Sequence, residues 1–203
     1  MTTSNALTGD DLGSASQRER RRRILDATID LASSGGFDAV QMRGVADRAD
    51  VALGTLYRYF PSKIHLLVSA LSVELERTEE ILSTRSLEGD TAADRVIEIL
   101  KLVSRGLQGD PHLTEALTRA FMFADASVQT EIHRVGLLMT SMLARAMHPE
   151  SPAADQLSDD DIAIARVIGD VWLSALVAWV TGRSTARETA GQIEVAVRLL
   201  LRD

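Results

Sequence analysis

Two short helical segments, about Met42 to Ala49 and about Leu53 to Phe60, are separated only by Asp50-Val51-Ala52. Three residues leave room for a tight turn and little else. The helices on either side must therefore meet at a steep angle, the geometry of a helix-turn-helix. Val45, Ala46 and Ala49 on the first segment, and Leu56 and Phe60 on the second, supply the faces that would close against a core.

The rest of the chain is also helical in period, and no segment shows strand alternation. Ser16 and Glu19 have the S-x-x-E spacing of a capping box, which opens a helix by satisfying its orphan amide protons. Ile24, Leu25, Thr28, Leu31 and Ala32 then give one apolar face, and Gly35-Gly36 is the expected end of that helix. Pro61 breaks the chain, and Ser62 is placed to cap a helix running to about Thr84. Further helices are expected over about 91–109, 112–124, 126–147, 159–181 and 185–202. Gly109-Asp110-Pro111 and the loop from His148 to Pro152 separate them. Ser158 before three aspartates, and Thr185 with Glu188, are N-terminal signals. The expectation is an all-α protein of about nine helices.

Composition narrows the class. Of 203 residues 45% are apolar but only 4% aromatic, so the core must be built from Leu, Val, Ile, Ala and Met. There is no cysteine, which excludes disulfides and thiolate zinc sites. No apolar run looks long enough for a bilayer, so no membrane partner is expected. Residues 1–15 have neither the basic start nor the apolar core of a signal peptide and read as a disordered tail. The expected location is cytoplasmic. His65, His112, His133 and His148 are scattered and read as surface or helix-end residues. Neither G-x-S-x-G nor H-E-x-x-H occurs, so no enzyme, metal or cofactor is expected.

The net charge is −7, yet it is unevenly spread. Ser14 to Lys63 holds nine basic and six acidic residues, leaving the remainder strongly acidic. A basic head over 16–62 and an acidic body over 63–203 are the natural division. Within the head, ADVALGTLYRYFPSK contains both tyrosines of the chain, Tyr57 and Tyr59. They stand two apart, so they point to different sides of one helix. Gly54 lowers helix stability in the first turn but permits close approach by a partner. Thr55 adds a hydroxyl. Lys63 opposes the dipole of the helix it opens, a position that a phosphate would favour. Each feature alone suits a core tyrosine, a turn glycine or a solvated charge. Together they make the parts of a DNA reader.

The stretch RILDATIDLASSGGFDAVQMRGVADRADVALGTLYRYFPSKIHLLVSAL resembles the DNA-binding head of the TetR family. That resemblance implies a homodimer on double-stranded palindromic operator DNA. It implies backbone contacts from Gly54, Thr55, Tyr59 and Lys63, with Tyr57 shared between packing and phosphate. Leu53 and Arg58 fall where family members read bases, and Arg43 reaches a phosphate or a guanine edge. Arg20, Arg21, Arg22 and Arg23 are placed for the flanking minor groove or backbone. Gln41 and Ala52 depart from the family's usual Thr and Ser caps, a loss of about 1 kcal/mol each.

The resemblance gives the body two tasks. The last two helices should pair with their copies through Val167, Val171, Leu173, Ala175, Ala178, Ile193, Ala196, Val197 and Leu200, with Gly169 and Gly191 allowing close approach. Phe121, Met122, Phe123, Met139, Met142, Trp172, Leu176 and Trp179 concentrate the large soft side chains, as core or as the wall of a ligand pocket. LTEALTRAFMFADAS and ARVIGDVWLSALVAWVTGR resemble the sterol-catabolism branch of the family, which implies repression of sterol (cholesterol) catabolism genes and a hydrophobic effector such as a steroid CoA thioester. Arg105, Arg119 and Arg134 are the candidate cations for its anionic part. A different hydrophobic effector, or none, is the alternative.

Overall fold

The computed structural model describes residues 15–85, 87–149 and 157–202. Among them lie α1 (Ala15–Ala39), α2 (Met42–Arg48), α3 (Leu53–Tyr59), α4 (Lys63–Ser83), α5 (Ala92–Gln108), α6 (Pro111–Met122), α7 (Gln129–Met147), α8 (Asp159–Val180) and α9 (Ala186–Leu200). A 3-10 turn, Ala126–Val128, precedes α7, and no strand occurs among the described residues. The all-α expectation is met. The tail expected over 1–15 lies, apart from Ala15, outside the described residues.

The tight turn is a Schellman motif. Val51 N–H reaches Ala46 C=O at 3.0 Å, and Asp50 N–H reaches Asp47 C=O at 3.3 Å. That closure puts Asp50 at φ 52°, a region that short polar side chains tolerate better than most. Arg23 locks the turn from α1 by donating to Ala49 C=O at 2.9 Å. Leu56 and Phe60 are buried, as their spacing requires, and each contributes about 1.5–3 kcal/mol. Neither Gln41 nor Ala52 makes a side-chain cap. Ser16 lies inside α1 rather than at its cap; Glu19 instead binds Arg22.

α1 breaks at its glycines. Gly36 takes φ 70°, and a methyl group there would stand 2.8 Å from Glu115 Oε2. The same carboxylate accepts Phe37 N–H at 2.8 Å. The break therefore fits the end of α1 onto α6, the neighbour it packs against most extensively. α4 carries six consecutive buried residues, His65 to Ala70. A stretch buried all round must be covered on all sides: α4 packs on α1, α6 and α7. Head and body share it.

In the body, α5 packs on α7 and α9, and α8 packs on α7 and α9. Capping boxes open α5 at Thr91/Asp94, α8 at Ser158/Asp161 and α9 at Thr185/Glu188. One sequence expectation is corrected. α8 is long and apolar enough to cross a membrane, and most of it is not buried within the chain.

Candidate functional site

Two regions converge chemistry: the face of α2 and α3, and a cavity in the body. On α3 the exposed residues are Gly54, Tyr57 and Arg58, with Leu53, Thr55 and Tyr59 half-buried. Nothing lies within 4 Å of a Cβ built on Gly54. The chain's own packing therefore does not call for glycine there. Tyr57 is 47% exposed, while Tyr59 packs on the core beside Phe60, ring centroids 6.4 Å apart. The two phenols thus divide the roles, with Tyr57 rather than Tyr59 on the outside. Arg43 and Arg58 are exposed and make no ion pair with a described residue. Arg58 is the neighbour of Tyr57 on α3, and Arg43 stands in the first turn of α2.

The arginine run behaves differently. Arg21 sits over the Phe60 ring at 5.5 Å, and burial draws its pKa down, with Arg134 adding to the shift. Arg22 is held by Glu19 and Asp26 at 2.7 and 3.0 Å. Arg23 holds the Ala49 carbonyl. Arg20 is half-buried. Three of the four thus have work inside the chain, a role sequence reading did not assign.

Lys63 lies over the Phe37 ring at 3.8 Å, and Arg119 lies over the same ring at 4.4 Å. Burial lowers the Lys63 pKa, with Arg119 as a further cause. Lys63 therefore has a packing reason for its place in the first turn of α4. Arg119 also pairs with Asp38 and Glu115, each at 3.5 Å. Phe37, Lys63, Glu115 and Arg119 make the seam between α1, α4 and α6.

A second link crosses nearby. Ser62 caps α4 by accepting His65 N–H at 3.3 Å. The His65 ring bridges Ser62 Oγ and Ser127 C=O, each at 2.9 Å. His65 is buried in the first turn of α4, so of the surface or helix-end alternatives it takes the helix end. A carbonyl only accepts, so Nε2 carries the proton, and Ser62 Oγ donates to Nδ1.

The body cavity measures about 440 Å³, within the range of small-molecule sites. Its floor comes from α4 and α6 (Leu71, Leu75, Leu117, Thr118) and its walls from α7 and α8 (Met139, Ala165, Trp172, Leu176). The exposed lining residues are on α7 and α8, among them His133, Leu137, Ile162, Arg166 and Asp170, so the cavity opens between those two helices.

Four of the eight expected pocket residues line it: Phe121, Met139, Trp172 and Leu176. The others do not. Met122 and Phe123 are 51% and 70% exposed, Met142 is fully buried in the core, and Trp179 packs outside the lining. Arg105, Arg119 and Arg134 are also absent from the lining. Arg105 borders a smaller cavity between α5 and α9, and Arg134 pairs with Glu76 at 2.9 Å. The cation at the cavity is Arg166, and the His133 imidazole also lines it. Sequence reasoning did not place Arg166 at a pocket and read His133 as a surface or helix-end residue. Arg166 does carry a signal, a lone cation inside the most apolar helix of the chain.

The pattern described as "Bacterial regulatory proteins, tetR family" matches residues 24–70, and "Tetracyclin repressor-like, C-terminal domain" matches residues 89–200. The chain belongs to the TetR family. The first TetR match spans α1 to the first part of α4, and the second spans α5 to α9. Across 194 residues the chain is 57% identical to "HTH-type transcriptional repressor KstR" of Rhodococcus jostii, covering 96% of this chain and 88% of that one. A solved TetR transcriptional regulator from Rhodococcus sp. RHA1 superposes with a TM-score of 0.84 at 29% identity, covering 93% of this chain and 98% of that one. The Bacillus subtilis regulator FadR, solved in complex with stearoyl-CoA, has a TM-score of 0.58 at 18% identity over 89% of this chain and 97% of that one, and shows the shared fold. This TetR-family protein is a regulatory protein and not an enzyme.

The TetR frame also sorts the pairing residues expected on the last two helices. Ala175, Ile193 and Val197 are buried within the chain and are not available to a second copy. Gly169 faces Met139 at the cavity. The exposed apolar residues on α8 and α9 include Val167, Val195 and Leu199; the last two were not anticipated.

Proposed function

We propose that this protein is a ligand-responsive repressor that binds palindromic operator DNA as a homodimer and controls sterol-catabolism genes. The observation that carries the reading is the 57% identity to a named repressor over 96% of the chain, through the head and the cavity-bearing body alike. Arg43, Tyr57 and Arg58 are the outward contacts, with Gly54 and Thr55 admitting the phosphate backbone to α3. Leu53 and Arg58 read bases. Lys63 and Tyr59 act from the rim, partly held by Phe37 and the core.

The effector is a steroid CoA thioester. An apolar cavity of about 440 Å³ suits its ring system, and Arg166 at the open side suits its anionic part. In FadR, stearoyl-CoA is the bound molecule, so a CoA thioester has a precedent on this fold. A second copy covers the exposed face of α8 and α9, where an apolar helix is left largely uncovered by its own chain. Release follows if effector favours a head spacing that does not fit the operator.

The test is selection of random duplex DNA on the purified protein, followed by gel-shift titration with steroid acyl-CoA. The expected results are a palindromic site and its release by ligand. Retention of the complex at saturating ligand would remove the effector assignment and leave DNA binding intact.

A further inference from the structure

Two hydroxyls of the cavity lining, Thr118 and Thr140, have no hydrogen-bond partner among the described residues, and of the two only Thr118 is buried. It lies on the α6 floor among Leu71, Leu75, Leu117 and Trp172, and only 4% of it is exposed. The polar groups of Thr114, Trp172 and Ser141 on the same lining are already engaged. Thr114 Oγ1 donates to Leu107 C=O. Trp172 Nε1 donates to Ser104 Oγ at 3.1 Å. Ser141 Oγ donates to Glu79 Oε1 at 2.8 Å.

A helical threonine ordinarily returns its hydroxyl to the carbonyl four residues back. Thr28, Thr78 and Thr181 do so here, bonding Ile24, Glu74 and Val177. Thr118 does not. Its hydroxyl has no hydrogen-bond partner among the described residues, and it is not a sealed orphan atom either, so it opens on the cavity it lines. A hydroxyl left free in an apolar recess costs free energy unless something in the recess bonds to it.

We propose that Thr118 is the specificity-determining residue of this cavity, hydrogen-bonding an oxygen at the inner end of the effector. The hydroxyl donates and accepts, so the oxygen is a ketone or an alcohol. The cavity opens between α7 and α8, where Arg166 lies, and Thr118 is on the opposite floor. The ligand is therefore an elongated amphiphile. Its anionic part stays at the mouth, and its oxygen-bearing end enters first. This inference rests on the reading of the cavity as the effector site, and it adds which end of the effector is recognised and by what.

The experiment measures affinity by titration with four CoA thioesters. One pair is a steroid acyl-CoA with a ring ketone at the end far from the thioester and its counterpart lacking the ketone. The other pair is ω-hydroxystearoyl-CoA and stearoyl-CoA. Wild-type protein should prefer the oxygenated member of a pair that binds. Thr118→Val keeps the shape and removes the hydroxyl. It should weaken the oxygenated member roughly three- to tenfold and leave the other unchanged or tighter, erasing the preference. Thr118→Ser should restore it. Equal loss for both members, or no loss for either, would overturn the role of Thr118. If only the fatty pair binds and shows the effect, the steroid assignment falls and Thr118 stands. If none of the four binds folded wild-type protein, both fall.

Discussion

His65 Nε2 donates to the backbone carbonyl of Ser127 at 2.9 Å, tying the first turn of α4 to the 3-10 turn between α6 and α7. The other ring nitrogen meets Ser62, the residue that caps α4 just after α3. The body is thus bonded directly to the segment that follows the DNA-facing helix. α6, which leads into that turn, also forms the cavity floor. His65→Ala removes both ring hydrogen bonds, to Ser127 C=O and Ser62 Oγ, while the backbone cap at Ser62 stays, at a cost of about 1–3 kcal/mol. Urea unfolding should show that loss. Operator binding by the variant should respond more weakly to effector, because a direct link between body and head is gone. An unchanged effector titration would move the coupling to other contacts, such as the seam at Phe37.

Gly36 and Gly182 provide a controlled comparison. Both take φ 70°, but a methyl on Gly36 meets Glu115 Oε2 at 2.8 Å, whereas nothing lies within 4 Å of one on Gly182. Gly182→Ala should cost about 1 kcal/mol, the backbone term alone. Gly36→Ala should cost more, about 1–3 kcal/mol, since the carboxylate must leave Phe37 N–H. Equal losses would mean that Glu115 yields freely.

The two phenols should separate by assay. Tyr57→Ala changes an exposed side chain, so stability should hold within about 0.5 kcal/mol while operator affinity falls. Tyr59→Ala removes part of the core packing and should cost about 1–3 kcal/mol. Thermal melts and gel shifts on the same preparations decide it. A Tyr57 variant with full operator affinity would take that residue off the DNA.

Val195 and Leu199 are 59% and 53% exposed on α9. Val195→Asp with Leu199→Asp puts charge on that face without disturbing the core. Sedimentation should then show monomer with its helical circular dichroism intact, and operator affinity should drop. A dimer that survives both substitutions would place the partner elsewhere.

Acid should weaken the body through its caps. Asp161 is held below the usual carboxylate range by the Ser158 hydroxyl and then by His148. Asp94 is lowered first by the Thr91 hydroxyl, and Glu188 first by the Thr185 amide. A lowered folded pKa means stability that is fully present above the unfolded value and lost as pH falls through the folded one. The melting temperature should therefore decline below about pH 4. The triple variant Thr91→Ala, Ser158→Ala, Thr185→Ala should start lower and lose less on acidification. A parallel decline would place the acid sensitivity outside the caps.

What the sequence by itself determined is local. The three-residue spacer, the helical period, the caps at Ser62, Ser158 and Thr185, and the break at Gly36 were legible, because each depends on residues within a turn or two. So was the outward face of α3, apart from which tyrosine takes it. Only the tertiary structure decided where large side chains go. Met122, Met142 and Trp179 match Met139 and Trp172 in chemistry, yet one is exposed, one is core and one lies off the cavity wall. The same holds for Arg166 at the cavity, Arg119 on Phe37 and His65 on Ser127. A helix presents several faces, and which of them meets a neighbour is fixed by how the helices cross. Residues 62 positions apart, such as His65 and Ser127, become partners only then.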